Sequence, residues 1–205
     1  MGGRVKFEVP EGATPIEDTE GLIAQVVLYR DLCAVEAENI LKATSRHLSR
    51  RLNPSGEWLT EAFIRKIHSD MLGDVWSWAG VYRRMELNIG RVAPHRVTEE
   101  IVKLVEDFKY WKDMSVLERC VRLHHRLTWI HPFRNGNGRH ARMVTDIYLY
   151  SQRHPLPIWP DNDLGKSGVT RKRYLDALKA ADEENFAPLE QFIESLFPPK
   201  GPSAR

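Results

Sequence analysis

The chain has 205 residues, of which 42% are hydrophobic and 28% charged, with a formal net charge of +2. That length supports one domain with a core of its own, and the near balance of charge argues against a general pull toward nucleic acid or an anionic membrane. No apolar run approaches the about 18 residues needed to span a bilayer. The two cysteines, Cys33 and Cys120, make no disulfide framework and read as reduced thiols. The opening Met1-Gly2-Gly3-Arg4-Val5-Lys6 carries no apolar leader, and Lys6 stands where a myristoylation signal wants a hydroxyl, so the expected location is cytoplasmic.

In chain order, residues 1–19 are polar and punctuated by Gly and Pro, and are expected to form an arm. From Glu20 to Leu52 apolar residues recur at helical spacing, among them Leu22, Ile23, Val26, Val27, Val35 and Ile40. Asn53-Pro54-Ser55-Gly56 stops that helix. A second helix, capped by Thr60 or Ser55, carries Leu59, Phe63, Ile67, Met71 and Leu72 and ends at Gly73. Between Trp76 and Gly90, Val81, Tyr82, Met85, Leu87 and Ile89 favour extended chain, so a short β-hairpin is expected. Helices follow over 97–111, from 117 into a histidine-rich stretch ended by Pro132, from Gly136 toward Gln152, and over 171–181 and 188–196. The tail 198–205 reads as disordered. The expected fold class is all-α, a helical bundle with one hairpin.

The stretch His131-Pro132-Phe133-Arg134-Asn135-Gly136-Asn137-Gly138-Arg139-His140-Ala141-Arg142 asks for more than packing. Gly136-Asn137-Gly138 stands where a helix begins, and the first N–H groups of a helix lack internal partners and lie at the positive end of its dipole. Glycines let a ligand approach that backbone, which makes an anion site. Arg139 and Arg142 are three apart and share a face. They either solvate the surface or grip phosphate with their planar forks. His131 reads as a general base beside the anion loop, or as a helix-end histidine satisfied by a carbonyl. Phe133 reads as a plug in the core beneath.

These residues resemble the Fic family, whose signature is His-Pro-Phe-x-(Asp/Glu)-Gly-Asn-Gly-Arg-x-x-Arg. The similarity reaches beyond the motif: Trp78-Ala79-Gly80-Val81-Tyr82-Arg83 through Ile89-Gly90 looks like the family's flap, and Tyr174 to Leu178 with Pro188 to Ile193 looks like its closing helices. The chain looks most similar to the branch labelled mobile mystery protein B. The resemblance implies an arm over 1–19, an N-terminal helical segment over 20–54, a Fic domain over 55–197 and a tail over 198–205. It also implies a protein adenylyltransferase, with ATP as co-substrate alongside Mg2+ or Mn2+. A Ser, Thr or Tyr hydroxyl of a target protein would attack the α-phosphate, and His131 would take the proton. Gly136, Asn137, Gly138, Arg139 and Arg142 would hold the phosphates. The flap, with Tyr82, Arg83 and Ile89, would dock the target by strand addition.

One position departs from the signature. Asn135 replaces the acidic metal ligand, keeping a carbonyl oxygen but losing the charge. The alternative is therefore a nucleotide-binding regulatory module with weak or lost transfer. Some family members inhibit themselves through (Ser/Thr)-x-x-x-Glu-(Gly/Asn). Here Ala34 to Asn39 comes close, and Glu38 is expected either to pair with Arg142 or to be a solvated helix charge. An antitoxin partner is the other route to restraint. Tyr148 and Tyr174 are candidates for adenine contact, with core packing as the competing reading.

Overall fold

A computed structural model describes residues 20–25, 29–87, 89–160 and 168–199. The expected arm over 1–19 lies outside them, as does the tail from residue 200. Among the described residues seven α-helices follow one another: α1 Tyr29–Leu48, α2 Glu61–Leu72, α3 Val97–Tyr110, α4 Val116–Ile130, α5 Asn137–Ser151, α6 Val169–Asp182 and α7 Ala187–Glu194. The all-α class expected from the sequence is what the chain adopts. No helix among the described residues is long and apolar enough to cross a membrane.

Local chemistry sets the boundaries. Thr60 caps α2 by accepting from the Phe63 N–H at 3.1 Å, and Ser115 and Glu118 form a reciprocal capping box at α4. The first helix begins at Tyr29, later than expected. The described residues before it form a turn, with Leu22 in an isolated antiparallel bridge to Trp76.

α4 and α5 pack on one another, α1 and α5 both lie against α2, and α3 covers α4. Their apolar faces make one core containing Ile64, Ile67, Met71, Ile101, Leu104, Leu123, Leu127, Val144 and Ile147. α6 and α7 close a smaller cluster of Ala177, Ala181, Leu189, Phe192 and Ile193 on Val121 of α4. The expected hairpin differs from the observed chain. Among the described residues of 76–90 there is no strand ladder; Tyr82 instead makes a single antiparallel bridge to Phe133. The apolar alternation signals extended backbone correctly, but its partner is the motif loop and not its own other half.

Candidate functional site

α4 ends at His131, which adopts left-handed backbone (φ 51°, ψ 62°) and donates its N–H to Leu127 O. The next residues cannot continue the helix through Pro132. Phe133 is wholly buried and stacks on His68 at 3.8 Å between centroids and 17° between planes. Gly136 then caps α5 in left-handed conformation (φ 75°, ψ 4°) with no side-chain cap bond. The start of α5 therefore presents main-chain N–H groups and the positive end of a dipole.

The two motif glycines have different duties. A Cβ on Gly136 would lie 2.7 Å from Leu72 Cδ1, and its φ is left-handed, so packing and backbone both require glycine. A Cβ on Gly138 would meet nothing within 4 Å. That position is exposed, and is open to a ligand approaching the helix start.

Asn137 was expected to hold phosphate. Its side chain points inward: Nδ2 donates to Phe133 O at 2.8 Å and Oδ1 accepts from Phe133 N–H at 2.8 Å. It is a brace across the loop, and only its main chain is placed to meet an anion. Asn135 accepts its neighbour's N–H, Gly136 N to Oδ1 at 2.7 Å. Among the described residues no three His, Cys, Asp or Glu side chains gather as a metal site. A neutral amide oxygen already accepting a hydrogen bond does not make a resident cation site.

The geometry of His131 fits a proton acceptor. Nδ1 lies 3.1 Å from Thr128 O. A carbonyl can only accept, so Nδ1 carries the proton and Nε2 keeps its lone pair. Burial, aided by the Arg83 charge, lowers the pKa to about 4, with the Thr128 contact opposing. At neutral pH the imidazole is a neutral base. Gly90 presses against it, since a Cβ there would lie 2.6 Å from His131 Cβ.

The motif arginines are separated by their partners. Arg139 Nη1 lies 2.7 Å from Glu36 Oε2, and the other Glu36 oxygen accepts from Trp76 Nε1 at 2.6 Å. Arg142 sits near Trp159, 5.9 Å from its ring centroid. Trp159 stacks on His124 at 5.3 Å and 15° and donates to Asp146 at 3.0 Å.

Glu38 is not the acid that reaches the motif. It is exposed on α1 and pairs with Lys42 at 2.8 Å. The buried stripe of α1 runs Leu32, Glu36, Asn39, Ala43, spaced at helical intervals, and Glu38 lies about 200° around from Glu36. Helical phase would have chosen Glu36, whereas matching the family's spacing chose Glu38.

Arg83 was expected to dock a target, but it is 5% exposed and turned inward. Tyr82 is half-buried and tilted over Phe133 at 5.6 Å. Ile89 remains half-buried on the segment, while Val81 and Met85 are exposed. Tyr148 is wholly buried, edge-on to Phe108 at 5.4 Å, so it is core and not an adenine contact. Tyr174 is half-buried with its hydroxyl 2.8 Å from His124 Nε2.

His68 was not singled out from the sequence. Gly80 N–H donates to its Nδ1 at 2.9 Å, which forces the ring proton onto Nε2, and that proton goes to Asn135 O at 2.9 Å. Burial chiefly, then His140, pushes its pKa well below the ordinary value. Its place on the buried stripe of α2 with Ile64, Ile67, Met71 and Leu72 was the available signal.

The fold is helical, and its motif loop joins a buried neutral imidazole at the end of α4 to an uncapped start of α5 that carries two arginines. Residues 58–149, a little under half of the chain, match the Fic/DOC family. A relative named protein adenylyltransferase Fic, from Culex quinquefasciatus, is 28% identical over 160 residues, covering 75% of this chain and 30% of the relative. Protein adenylyltransferase fic-1 of Caenorhabditis elegans is 26% identical over 136 residues, covering 63% of this chain and 25% of the relative. The chain thus spans under a third of the length of these curated relatives. Among solved structures, BepC from Bartonella tribocorum with bound AMPPNP superposes with a TM-score of 0.65 at 17% identity, covering 94% of this chain and 97% of that one. Fic-1 of C. elegans gives 0.65 at 22% identity over 88% of this chain and 52% of that one. The structural likenesses establish the fold.

Proposed function

We propose that this protein transfers an adenylyl group from ATP to a hydroxyl of a target protein. The observation that carries the reading is the pairing of a neutral His131, its Nε2 free to take a proton, with the uncapped start of α5. The relatives' names supply the class of reaction. In this reading the main-chain N–H groups at Asn137 and Gly138 meet phosphate oxygens, and Arg139 and Arg142 neutralise the tail. The hydroxyl oxygen bonds to the α-phosphorus, pyrophosphate leaves, and the hydroxyl proton passes to His131. Such transfers depend mainly on positioning and charge. Mg2+ arrives with the nucleotide as part of the substrate, held by phosphate oxygens. Val81 and Met85 offer the target an exposed apolar edge on the segment that bridges to the motif loop at Tyr82. We take the domain as running over 55–197, because α6 packs on α4 and α7 packs on both.

We read Glu36, in place of Glu38, as the restraint. Its carboxylate occupies the fork that Arg139 would turn to phosphate. Glu36→Ala is expected to tighten ATP binding measured by calorimetry by about tenfold, equivalent to one charge-assisted contact; an unchanged affinity removes Glu36 from the account.

Incubation with labelled ATP, Mg2+ and cell lysate tests the main reading. Transfer that falls by about 10²–10⁴-fold in His131→Ala supports it. The alternative, a nucleotide-binding module without efficient transfer, is favoured specifically by the uncharged Asn135. It prevails if ATP binds, lysate proteins stay unlabelled, and Asn135→Asp restores labelling.

A further inference from the structure

Arg83 is a buried cation without a carboxylate in its hydrogen-bond shell. All four of its side-chain bonds end on main-chain carbonyls. Nε donates to His131 O at 2.7 Å, Nη1 to Met85 O at 3.1 Å, and Nη2 to Val92 O and, at 3.3 Å, to Ile130 O. Its own N–H donates to Pro132 O at 2.9 Å. Desolvation lowers its pKa, with Glu86 acting weakly the other way.

These acceptors belong to two structures. Ile130 and His131 are the last turn of α4, where carbonyls lack helical partners and a cation is favoured by the dipole. Met85 and Val92 bracket a segment that meets His131 at Gly90 and among whose described residues Met85, Glu86 and Arg91 are exposed. That segment has no ladder of its own among the described residues. Its far end is fixed by Arg91 N–H donating to Trp129 O at 2.9 Å. Burying a guanidinium among neutral carbonyls is costly unless its donors are used, and here the fork uses them to join two elements that also meet through Arg83 N–H to Pro132 O, Arg91 N–H to Trp129 O, the Tyr82 bridge and Gly90. Lysine has three donors on one atom and cannot span the same four oxygens.

We propose that Arg83 is a positioning residue that sets the orientation of His131 and the course of the 85–92 segment together, so that proton acceptor and target edge keep a fixed relation. This rests on the adenylyl-transfer reading for its consequence, though not for its geometry. Arg83 touches no substrate in this account. It holds the left-handed turn at His131, a conformation unfavourable for a non-glycine residue, and its charge sits close enough to oppose protonation of the imidazole.

The test uses the full chain with Arg83→Lys and Arg83→Met. Four quantities are read: the NMR titration of His131, amide hydrogen exchange across 85–92, ATP affinity by calorimetry, and the rate of labelling from ATP. In Arg83→Met the His131 titration is expected to move up toward the ordinary histidine range. Exchange across 85–92 should quicken, and labelling should fall about 10²-fold while ATP affinity stays within about twofold. Arg83→Lys keeps the charge but loses the fork: its titration should stay near the parent's while exchange still quickens. A folded Arg83→Met with unmoved titration, exchange and labelling overturns the proposal. If Arg83→Met does not fold, a folded Arg83→Lys with parental exchange overturns it and quickened exchange supports it. Absence of labelling in the parent chain would count against the adenylyl-transfer reading alone, since titration and exchange still decide the role of Arg83.

Discussion

The motif loop from His131 to Asn137 and the segment from Val81 to Val92 meet across Phe133, yet they are held by opposite means. The loop is fixed by near neighbours. Asn137 bonds both main-chain groups of Phe133, Gly136 N–H finds Asn135 Oδ1, and His68 grips Asn135 O from below. The segment is held at its ends and by the buried Arg83 guanidinium, which ties its own Met85 and Val92 carbonyls to those of Ile130 and His131. The difference explains why most of the loop's contacts lie within its own sequence, whereas the segment shows its extended backbone there but not its partners. A short motif carries its own hydrogen-bond partners, whereas the segment borrows carbonyls almost fifty residues away.

Acid should expose this difference most strongly. The loop rests on buried His140, and α4, which leads into it, on buried His124. Burial pushes His140, edge-on to Phe133 at 4.9 Å, down to about 4, and burial with Arg142 and His125 pushes His124 down to about 3. Unfolded histidines take up protons near pH 6.5. Between that pH and the native values the unfolded state therefore binds more protons, and stability is lost as pH falls. Two such groups remove roughly 4 kcal/mol in going from pH 7 to pH 5, at about 1.4 kcal/mol per unit of pH for each. Circular-dichroism melts should show Tm falling steeply below pH 6.5; a flat Tm across that range would mean these rings are not neutral and buried as described.

Asn137→Ala is expected next in size. It strands the N–H and C=O of a wholly buried Phe133, at about 1–3 kcal/mol each, so a loss of about 3 kcal/mol in urea unfolding is predicted. Met85→Ala, at a position 46% exposed, should change stability by under about 0.5 kcal/mol. Equal effects at the two positions would remove the contrast between a self-braced loop and an externally held segment.

The same contrast marks what could be read from the chain. Helices α2 to α7 follow from apolar period and punctuation, because Thr60, Gly73, Ser115, Pro132 and Gly136 act locally. The motif placed Gly136 and Gly138 at the start of α5 and His131 at the end of α4. What failed depended on phase or on distance. Glu36 and Glu38 carry the same charge two residues apart, and only the buried stripe of α1 separates them. Asn137 turns back to the main chain of Phe133 in its own loop, and Arg83 turns to carbonyls of α4 and Val92, whereas polarity alone reads as solvent- or ligand-facing. Tyr148 faces Phe108, a contact between α5 and α3 that no local spacing reveals. Trp159 meets His124 and Arg142 only because the chain after α5 returns across α4.

The two glycines of the loop provide the finest comparison, because a single methyl group is added in each case. At Gly136 it enters left-handed backbone and the Leu72 side chain, so Gly136→Ala should cost about 1–2 kcal/mol from backbone alone, plus whatever Leu72 must yield. At Gly138 the backbone is helical and the space is open. Removing a glycine from a helix gains roughly 0.5–1 kcal/mol, so Gly138→Ala should leave unfolding unchanged or raise its midpoint. The added methyl would then stand where a nucleotide phosphate approaches the first turn of α5. ATP affinity is therefore expected to fall severalfold in the more stable variant. Opposite signs in stability and binding at Gly138 would show that its missing side chain serves a ligand. A parallel gain in both would show that the phosphates pass elsewhere, while the fold argument for Gly136 would be untouched.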